Sequence, residues 1–462
     1  MSIIRTNKQI INYSKEKKEQ YGEIFTPYSL IEKMLNLLNE EHFTNPNTKW
    51  LDPGSGTGFF SIYLYWKLFD GLKNIIPNET RRKKHIIENM IYMVEIQEQN
   101  TNILKKIFGL KANIFNVDFL IASHIDNYAF DYVIGNPPYN INGVKKVPTN
   151  KQKNKKNDGN TVWFEFIKKS IQLLKENGNL IMVVPCIWLK PDKLKAYDYM
   201  CNFKIEKLHS HSNTDTKKIF NGNAQTPTSY FLLKNTLSNK KINIFDNDKQ
   251  EYFSYKLITN YPIPMFGINL INKIMYYVEK YGHLDITKTN MPHKNVKLSP
   301  MRNNTYKYKN INSCKIDNIE NRPTLDVKYS NTPCNYYKEI KLVLPHKMYG
   351  FPYIDMTGSY GICNRDNYVI LDNNINNLQI ICEFLSTKTA LYIYESTRYR
   401  MKYLEKYAFN YIPNILKIDE FIKNRPITDE SISKFFNFDS DDVNNINKLH
   451  KKNYNFNYLM VE

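Results

Sequence analysis

The sequence predicts an α/β fold, a mostly parallel sheet with helices on both faces, followed by a C-terminal α+β domain. Three observations predict it. Short β-rich runs alternate with helical stretches through about residue 240, which is how a parallel sheet with crossover helices reads. One of those runs ends in three alternating glycines ahead of a helical stretch, the form of a strand-to-helix turn that lets backbone approach a ligand. Beyond residue 240 the periodicity turns irregular, with short strand-like runs separated by Pro, Gly and Asn, so the predicted domains are 1–240 and 241–462.

In order along the chain, a helix is predicted near Pro27 to Glu41. Strands follow at Lys49 to Leu51, Ile91 to Ile96, Asn113 to Asn116, Tyr132 to Ile134 and Leu180 to Val184, with a helical run at Phe59 to Phe69. Residues 141–160 break the alternation: six lysines (Lys145, Lys146, Lys151, Lys153, Lys155, Lys156) face one acid, Asp158, with little apolar to anchor them, so a mobile basic loop is expected. In the second domain, strand-like runs lie at Ile340 to Leu344 and Tyr368 to Leu371. Residues 281–350 hold 12 basic and 5 acidic side chains, which predicts one basic surface. Tyr392, Tyr399, Tyr403, Tyr407 and Tyr411, with Arg398, Lys402 and Lys406, suggest one helix with an aromatic stripe beside a basic one.

Composition narrows the function. The 462 residues carry 64 Lys and Arg against 45 Asp and Glu, a net +19, which favours a polyanion as partner. The longest apolar stretch, Leu180 to Leu189, is about half the roughly 20 residues of a membrane helix and contains Pro185, so no membrane span is expected. The first twenty residues lack the continuous apolar core of a secretory signal, so a cytoplasmic location is expected. Six dispersed cysteines without a C-x-x-C pair fit neither a disulfide framework nor a zinc knuckle. His209 and His211 form a His-x-His with no further ligand nearby, so no metal is expected.

Two motifs carry the chemistry. Asp52-Pro53-Gly54-Ser55-Gly56-Thr57-Gly58 closes a strand and opens a helix, but Phe59 breaks the dinucleotide G-x-G-x-x-G and no Gly-Lys-Ser/Thr follows for a phosphate loop. The spacing instead suits S-adenosyl-L-methionine (AdoMet), with its methionine moiety against glycine backbone. Glu95, at the tip of the next strand, is placed to accept ribose hydroxyls. Asp118 is placed for the adenine amine, with Ile96 or Phe119 against the ring. The second motif is Asn136-Pro137-Pro138-Tyr139 after an apolar strand. Two prolines fix the backbone and leave its carbonyls free to accept. If the Asn136 side-chain oxygen and the Pro137 carbonyl each accept a proton of an exocyclic amine, its lone pair is aimed at a methyl donor. Tyr139 offers a flat face for the base.

In this order the Gly22-Glu23-Ile24-Phe25-Thr26-Pro27 segment, the glycine loop, Glu95, Asp118 and the Asn-Pro-Pro-Tyr resemble the gamma group of adenine-N6 DNA methyltransferases of restriction-modification systems. The resemblance covers about residues 21–235. It implies a Rossmann-like AdoMet-dependent methyltransferase domain followed by a target-recognition domain, and a cofactor role for Thr26 and Pro27. Lys218-Ile219-Phe220 resembles the position of an aromatic that packs on the extruded adenine, which would make Phe220 a pocket residue. The implied activity is methyl transfer to adenine N6 in double-stranded DNA, with base flipping, and with a cognate restriction endonuclease as an accompanying partner. A monomer is expected. No Asp…Glu-x-Lys nuclease signature precedes Gly22, so a stand-alone methyltransferase is expected. The rivals are an RNA adenine-N6 methyltransferase, a glutamine-N5 protein methyltransferase and a catalytically silent DNA-binding specificity protein. Pro185-Cys186 resembles the Pro-Cys of cytosine-C5 enzymes but follows the Asn-Pro-Pro-Tyr strand, and it is read as a buried thiol.

Overall fold

The computed structural model describes residues 25–140, 161–316, 323–347, 350–400 and 403–449. The predicted basic loop 141–160 lies outside them, as does Gly22. The chain forms two compact units, Met1–Phe245 with Ser254–Ile258, and Asp246–Phe253 with Thr259–Glu462. Among the described residues no helix is long and apolar enough to cross a membrane.

The first unit starts with α1 (Tyr28–Leu35), β1 (Trp50–Asp52), α2 (Phe59–Gly71), α3 (Glu79–His85), β2 (Ile91–Val94), α4 (Glu98–Phe108), β3 (Asn113–Phe115) and β4 (Phe130–Gly135). It continues with α5 (Trp163–Leu173), β5 (Leu174–Pro185), α6 (Ala196–Cys201), β6 (Phe203–His211), α7 (Asn213–Ile219), β7 (Thr228–Leu237), β8 (Lys241–Asp246) and β9 (Glu251–Lys256). The sheet order is β3-β2-β1-β4-β5-β7-β6-β8-β9. The strands from β3 to β5 are parallel, and β7 enters antiparallel between β5 and β6. Parallel strands are buried on both faces, which is why these runs read as continuously apolar. Trp50, Met93, Ile134, Ile181 and Val183 meet α1, α2 and α4 on one face. The alternate residues Leu51, Val133, Leu180, Met182 and Val184 are equally buried, so the other face is covered as well, and α5 packs along β5.

α1 is shorter than predicted. It ends at Leu35 with Asn36 as its cap, and a separate 3-10 turn at Glu40–Phe43 follows Asn39. Asparagine side chains compete with the helix for backbone hydrogen bonds, and the break lets Leu37, Leu38 and Phe43 turn into the core. Phe43 then stacks on Trp50 and Trp50 on Tyr132, with centroids 5.5 and 3.7 Å apart.

The second unit holds α8 (Ile268–Tyr281), β10 (Thr287–Lys288), β11 (Leu298–Ser299), β12 (Tyr308–Ile316), β13 (Pro323–Ser330), β14 (Lys341–Pro345), β15 (Tyr353–Asp355), β16 (Gly361–Ile362) and β17 (Asn367–Leu371). Helices α9 (Ile375–Leu385), α10 (Lys388–Ser396), α11 (Asp419–Lys423), α12 (Asp429–Phe435) and α13 (Ser440–Asn447) follow. Its strands make two sheets, β10-β17-β14-β15 and β11-β13-β12-β16. One buried ion pair spans β14 and β15: Lys341 Nζ lies 2.6 Å from Asp355 Oδ2, with both side chains at most 1% exposed. Backbone N–H groups of Ser359 and Tyr360 also donate to Asp355.

The tyrosine stripe is not one helix. α10 ends at Ser396 and a 3-10 turn forms only at Lys406–Tyr411. Tyr399 donates from its buried hydroxyl to Ile263 O at 2.6 Å and Tyr411 to Pro262 O, and no single helix presents these rings at such positions. Tyr399 and Tyr411 are core residues, whereas Tyr403 is exposed.

Candidate active site

The C-terminal ends of β1, β2 and β4 lie side by side, and the loops that leave them carry the predicted residues. β1 and β4 register through Trp50 with Tyr132 and Leu51 with Val133, which puts Asp52 beside Gly135. A Cβ on Gly135 would stand 3.4 Å from Asp52 Oδ1. The glycine loop bends sharply, with Gly56 at φ 52° and Gly58 at φ 93°. Gly58 also lets α4 close in, since a Cβ there would meet Leu104 Cδ2 at 2.7 Å. A Cβ on Gly54 would reach Pro138 and Phe166 at 4.0 Å, so the glycine loop faces the Asn-Pro-Pro-Tyr segment.

Asp52 is 2% exposed. Its Oδ2 accepts from Ser61 Oγ at 3.1 Å, while Oδ1 has no hydrogen-bond partner among the described residues. Burial pushes its carboxyl up to about 7, against the pull of the Ser61 hydroxyl and with the push of the Glu95 charge. A buried acceptor without a donor is costly, so the loop is built for a donor brought by something else. The ammonium of an amino-acid moiety such as that of AdoMet fits that need. Glu95 is buried and tied to the loop: Oε2 accepts from Gly56 N and Oε1 from Gln97 N, each at 2.8 Å. Ionised carboxylate oxygens accept more than one bond, so both can also receive hydroxyls. Ile96 beside it is 60% exposed, an apolar surface open to a ring. Asp118 accepts from Leu120 N at 2.9 Å in a tight turn, and the Phe119 ring is buried against Phe166 at 5.2 Å.

Asn136 follows the last residue of β4, and its Nδ2 donates to Thr26 Oγ1 at 3.0 Å. Thr26 is buried just ahead of α1, and Pro27 is that helix's N-cap. The Thr-Pro segment therefore touches the amide of the Asn-Pro-Pro-Tyr directly. Pro137 is buried, Pro138 and Tyr139 are partly so, and the Tyr139 hydroxyl donates to Val183 O at 3.5 Å. Phe220 sits at the end of α7, 3% exposed in the apolar cluster with Ile181, Val183 and Tyr230. Burial pushes the Cys186 thiol up to about 12, far from a thiolate nucleophile at neutral pH. His209 Nδ1 pairs with the Tyr230 hydroxyl at 2.6 Å, and the described residues contain no cluster of three metal-ligating side chains.

Sequence reasoning missed several supporting residues. Ser61 lies one turn into α2 and orients Asp52. Asn116 Nδ2 donates to Glu95 O and Ile96 O at 2.9 and 3.1 Å, which fixes the turn after β2. Phe25 and Tyr28 meet Phe59 at 5.6 and 5.0 Å, an aromatic group at the mouth of the glycine loop. Only their nearness to the motifs could have flagged them.

Residues 61–220 match the family described as Eco57I restriction-modification methylase. That span contains Glu95, Asp118 and Asn136 to Tyr139. The chain is similar to "Type II methyltransferase M.HincII" of Haemophilus influenzae, 23% identical over 86% of this chain and 69% of that one. It is also similar to an "uncharacterized adenine-specific methylase" of Mycoplasma pneumoniae, 24% identical over 43% of this chain and 61% of that one. Among solved structures, the type IIG restriction endonuclease BpuSI aligns over 92% of this chain and 65% of its own, with 12% identity and a TM-score of 0.40.

Proposed function

We propose that this chain, whose residues 61–220 match the Eco57I restriction-modification methylase family, is a site-specific DNA methyltransferase that moves a methyl group from AdoMet to the N6 amine of adenine. The observation that carries the reading is the placement of Asn136-Pro137-Pro138-Tyr139 at the tip of β4, against the glycine loop, with the Asn136 amide held by Thr26. Asp52 receives the cofactor's ammonium, Glu95 its ribose, and Asp118 with Ile96 and Phe119 its adenine. The cofactor supplies an electrophilic methyl group.

The chain's own part is orientation. With Nδ2 donating to Thr26, the Asn136 oxygen, the acceptor end of the amide, accepts a proton of the target amine, and the Pro137 carbonyl accepts the other. Both acceptors draw the nitrogen out of conjugation with its ring and direct its lone pair at the methyl carbon. A duplex hides that amine in pairing, so the base leaves the stack at a cost of a few kcal/mol, offset by contacts in the pocket. Tyr139, partly open, is the nearer aromatic for that base; Phe220 would have to be uncovered to join it. The second unit supplies target recognition.

The test is incubation with labelled AdoMet and separate DNA, RNA and protein substrates, followed by identification of the product. N6-methyladenine in DNA is the expected outcome, lost by on the order of 10² or more in Asn136→Ala with AdoMet binding retained. Label confined to RNA, to glutamine or to cytosine overturns the reading.

A further inference from the structure

Four chain segments of the second unit converge on one surface point. β10 pairs with β17 through Lys288 and Tyr368. The residue after β14, His346, donates its N–H to Asp366 O at 2.9 Å and accepts from Leu404 N at 2.8 Å, while the Tyr368 hydroxyl donates to Leu404 O at 2.8 Å. A bridge joins Lys347 to Tyr403. These backbone links bring the exposed Lys288 and Arg400 beside the half-buried His346, with the exposed Arg365 near Lys288. Lys288 Nζ lies 3.3 Å from His346 Nε2, and the His346 ring stacks on the exposed Tyr403 ring at 4.8 Å.

The charges here do not cancel. Arg400 Nε lies 3.6 Å from Glu405, and Asp366 lies 3.7 Å from His346, not from a lysine or arginine. Among the described residues neither Lys288 nor Arg365 lies within ion-pair distance of an acid. Burial first, then the Lys288 charge, lowers His346 to about 4, so it is a neutral ring at pH 7. Burial, with Arg400 and Arg365 adding to it, also pulls Lys288 below its ordinary value although Glu405 and Asp366 oppose this. Three cations against two acids leave +1 on a small area. Like charges gathered at a cost to stability are a reason to look for an anion that relieves them.

We propose that Lys288, Arg365 and Arg400 form a phosphate site for the DNA backbone, with the exposed Tyr403 ring, backed by His346, beside it as a flat face for a sugar or base edge. Guanidinium forks match phosphate oxygens in pairs, and an exposed tyrosine ring backed by a half-buried imidazole suits nucleotides better than carboxylate side chains. The proposal rests on the reading of the chain as a DNA-modifying enzyme. It makes the cluster a contact that positions the duplex without reading its sequence.

The test uses the full chain and labelled duplexes, with and without the methylated sequence, titrated at several salt concentrations. The double variant Arg365→Gln/Arg400→Gln should weaken binding to both duplexes by the same factor, and the slope of log K against log salt should fall by roughly 0.9 for each phosphate that is no longer neutralised. Arg400→Lys should keep most of the slope, and AdoMet affinity should not change. An unaltered slope, or a changed target preference, overturns the proposal. So does wild-type binding of poly-glutamate as tight as that of DNA and abolished in the double variant, which would point to an acidic protein. If wild-type protein binds duplex in this way but yields no N6-methyladenine, the enzymatic reading fails while the site stands. If methylation proceeds and the slope does not move, the site alone fails.

Discussion

Replacing Thr26 with valine removes the acceptor of the Asn136 amide and little else in shape. The hydrogen bond is 3.0 Å long, and Thr26 is 4% exposed, so water cannot readily take its place. Loss of one part-buried hydrogen bond costs about 0.5–1.5 kcal/mol, and where that cost falls on the oriented state the rate at saturation drops roughly 2- to 13-fold. Thr26→Ser keeps the hydroxyl and should lose about 3-fold or less. Single-turnover methyl transfer at saturating AdoMet, beside a calorimetric titration of AdoMet alone, separates the two roles open to this residue. If Thr26 orients Asn136, the rate falls and AdoMet affinity holds. In addition Thr26→Val combined with Asn136→Ala should be no worse than Asn136→Ala alone, because both changes remove one unit. A weakened AdoMet titration with a normal saturated rate would refute this reasoning and return Thr26 to the cofactor role that the family resemblance implies.

Two further outcomes follow from buried carboxylates. Asp52 stands at about 7 in the folded chain and at 3.8 ordinarily, so folding takes up a proton between those values. Stability of the ligand-free protein should therefore fall as pH rises through that window, and thermal melts of Asp52→Asn should lose this slope while AdoMet affinity drops. Lys341→Met leaves the Asp355 carboxylate buried without its cation and should destabilise the second unit by about 3–5 kcal/mol in urea titrations. The double replacement Lys341→Met/Asp355→Asn, which removes both charges and keeps an acceptor for the Ser359 and Tyr360 N–H groups, should recover part of that loss; no recovery would mean that Lys341 acts through something other than the pair.

What could be read from the residues in order was what the chain states locally. A buried parallel strand is continuously apolar, so Ile91 to Val94 and Tyr132 to Ile134 are visible without a partner, as is a turn that only alternating glycines can make. Partners distant in sequence are not visible. Asn136 and Thr26 are 110 positions apart, and nothing in either neighbourhood announces the other. The tyrosine spacing misled because Tyr399 and Tyr411 are placed by carbonyls of Ile263 and Pro262 and not by helical period. The surface around His346 escaped for the same reason: its cations come from segments that look unrelated along the chain, and two of them, Arg365 and Arg400, lie beyond the stretch whose charge excess drew notice.

Asn140 bridges to Thr161, and Val162 N donates to Tyr139 O at 3.1 Å. Asn140 and Thr161 are thus held as a pair, so the number of residues between them is decoupled from the position of Tyr139 on one side and α5 on the other. Doubling the length of a chain whose two ends are held together costs only about 0.6 kcal/mol more. This is a natural cassette boundary. Lineages could lengthen, shorten or recharge residues 141–160 without rebuilding the Asn-Pro-Pro-Tyr turn, and an engineer could splice a reporter or a foreign basic segment there with the same freedom.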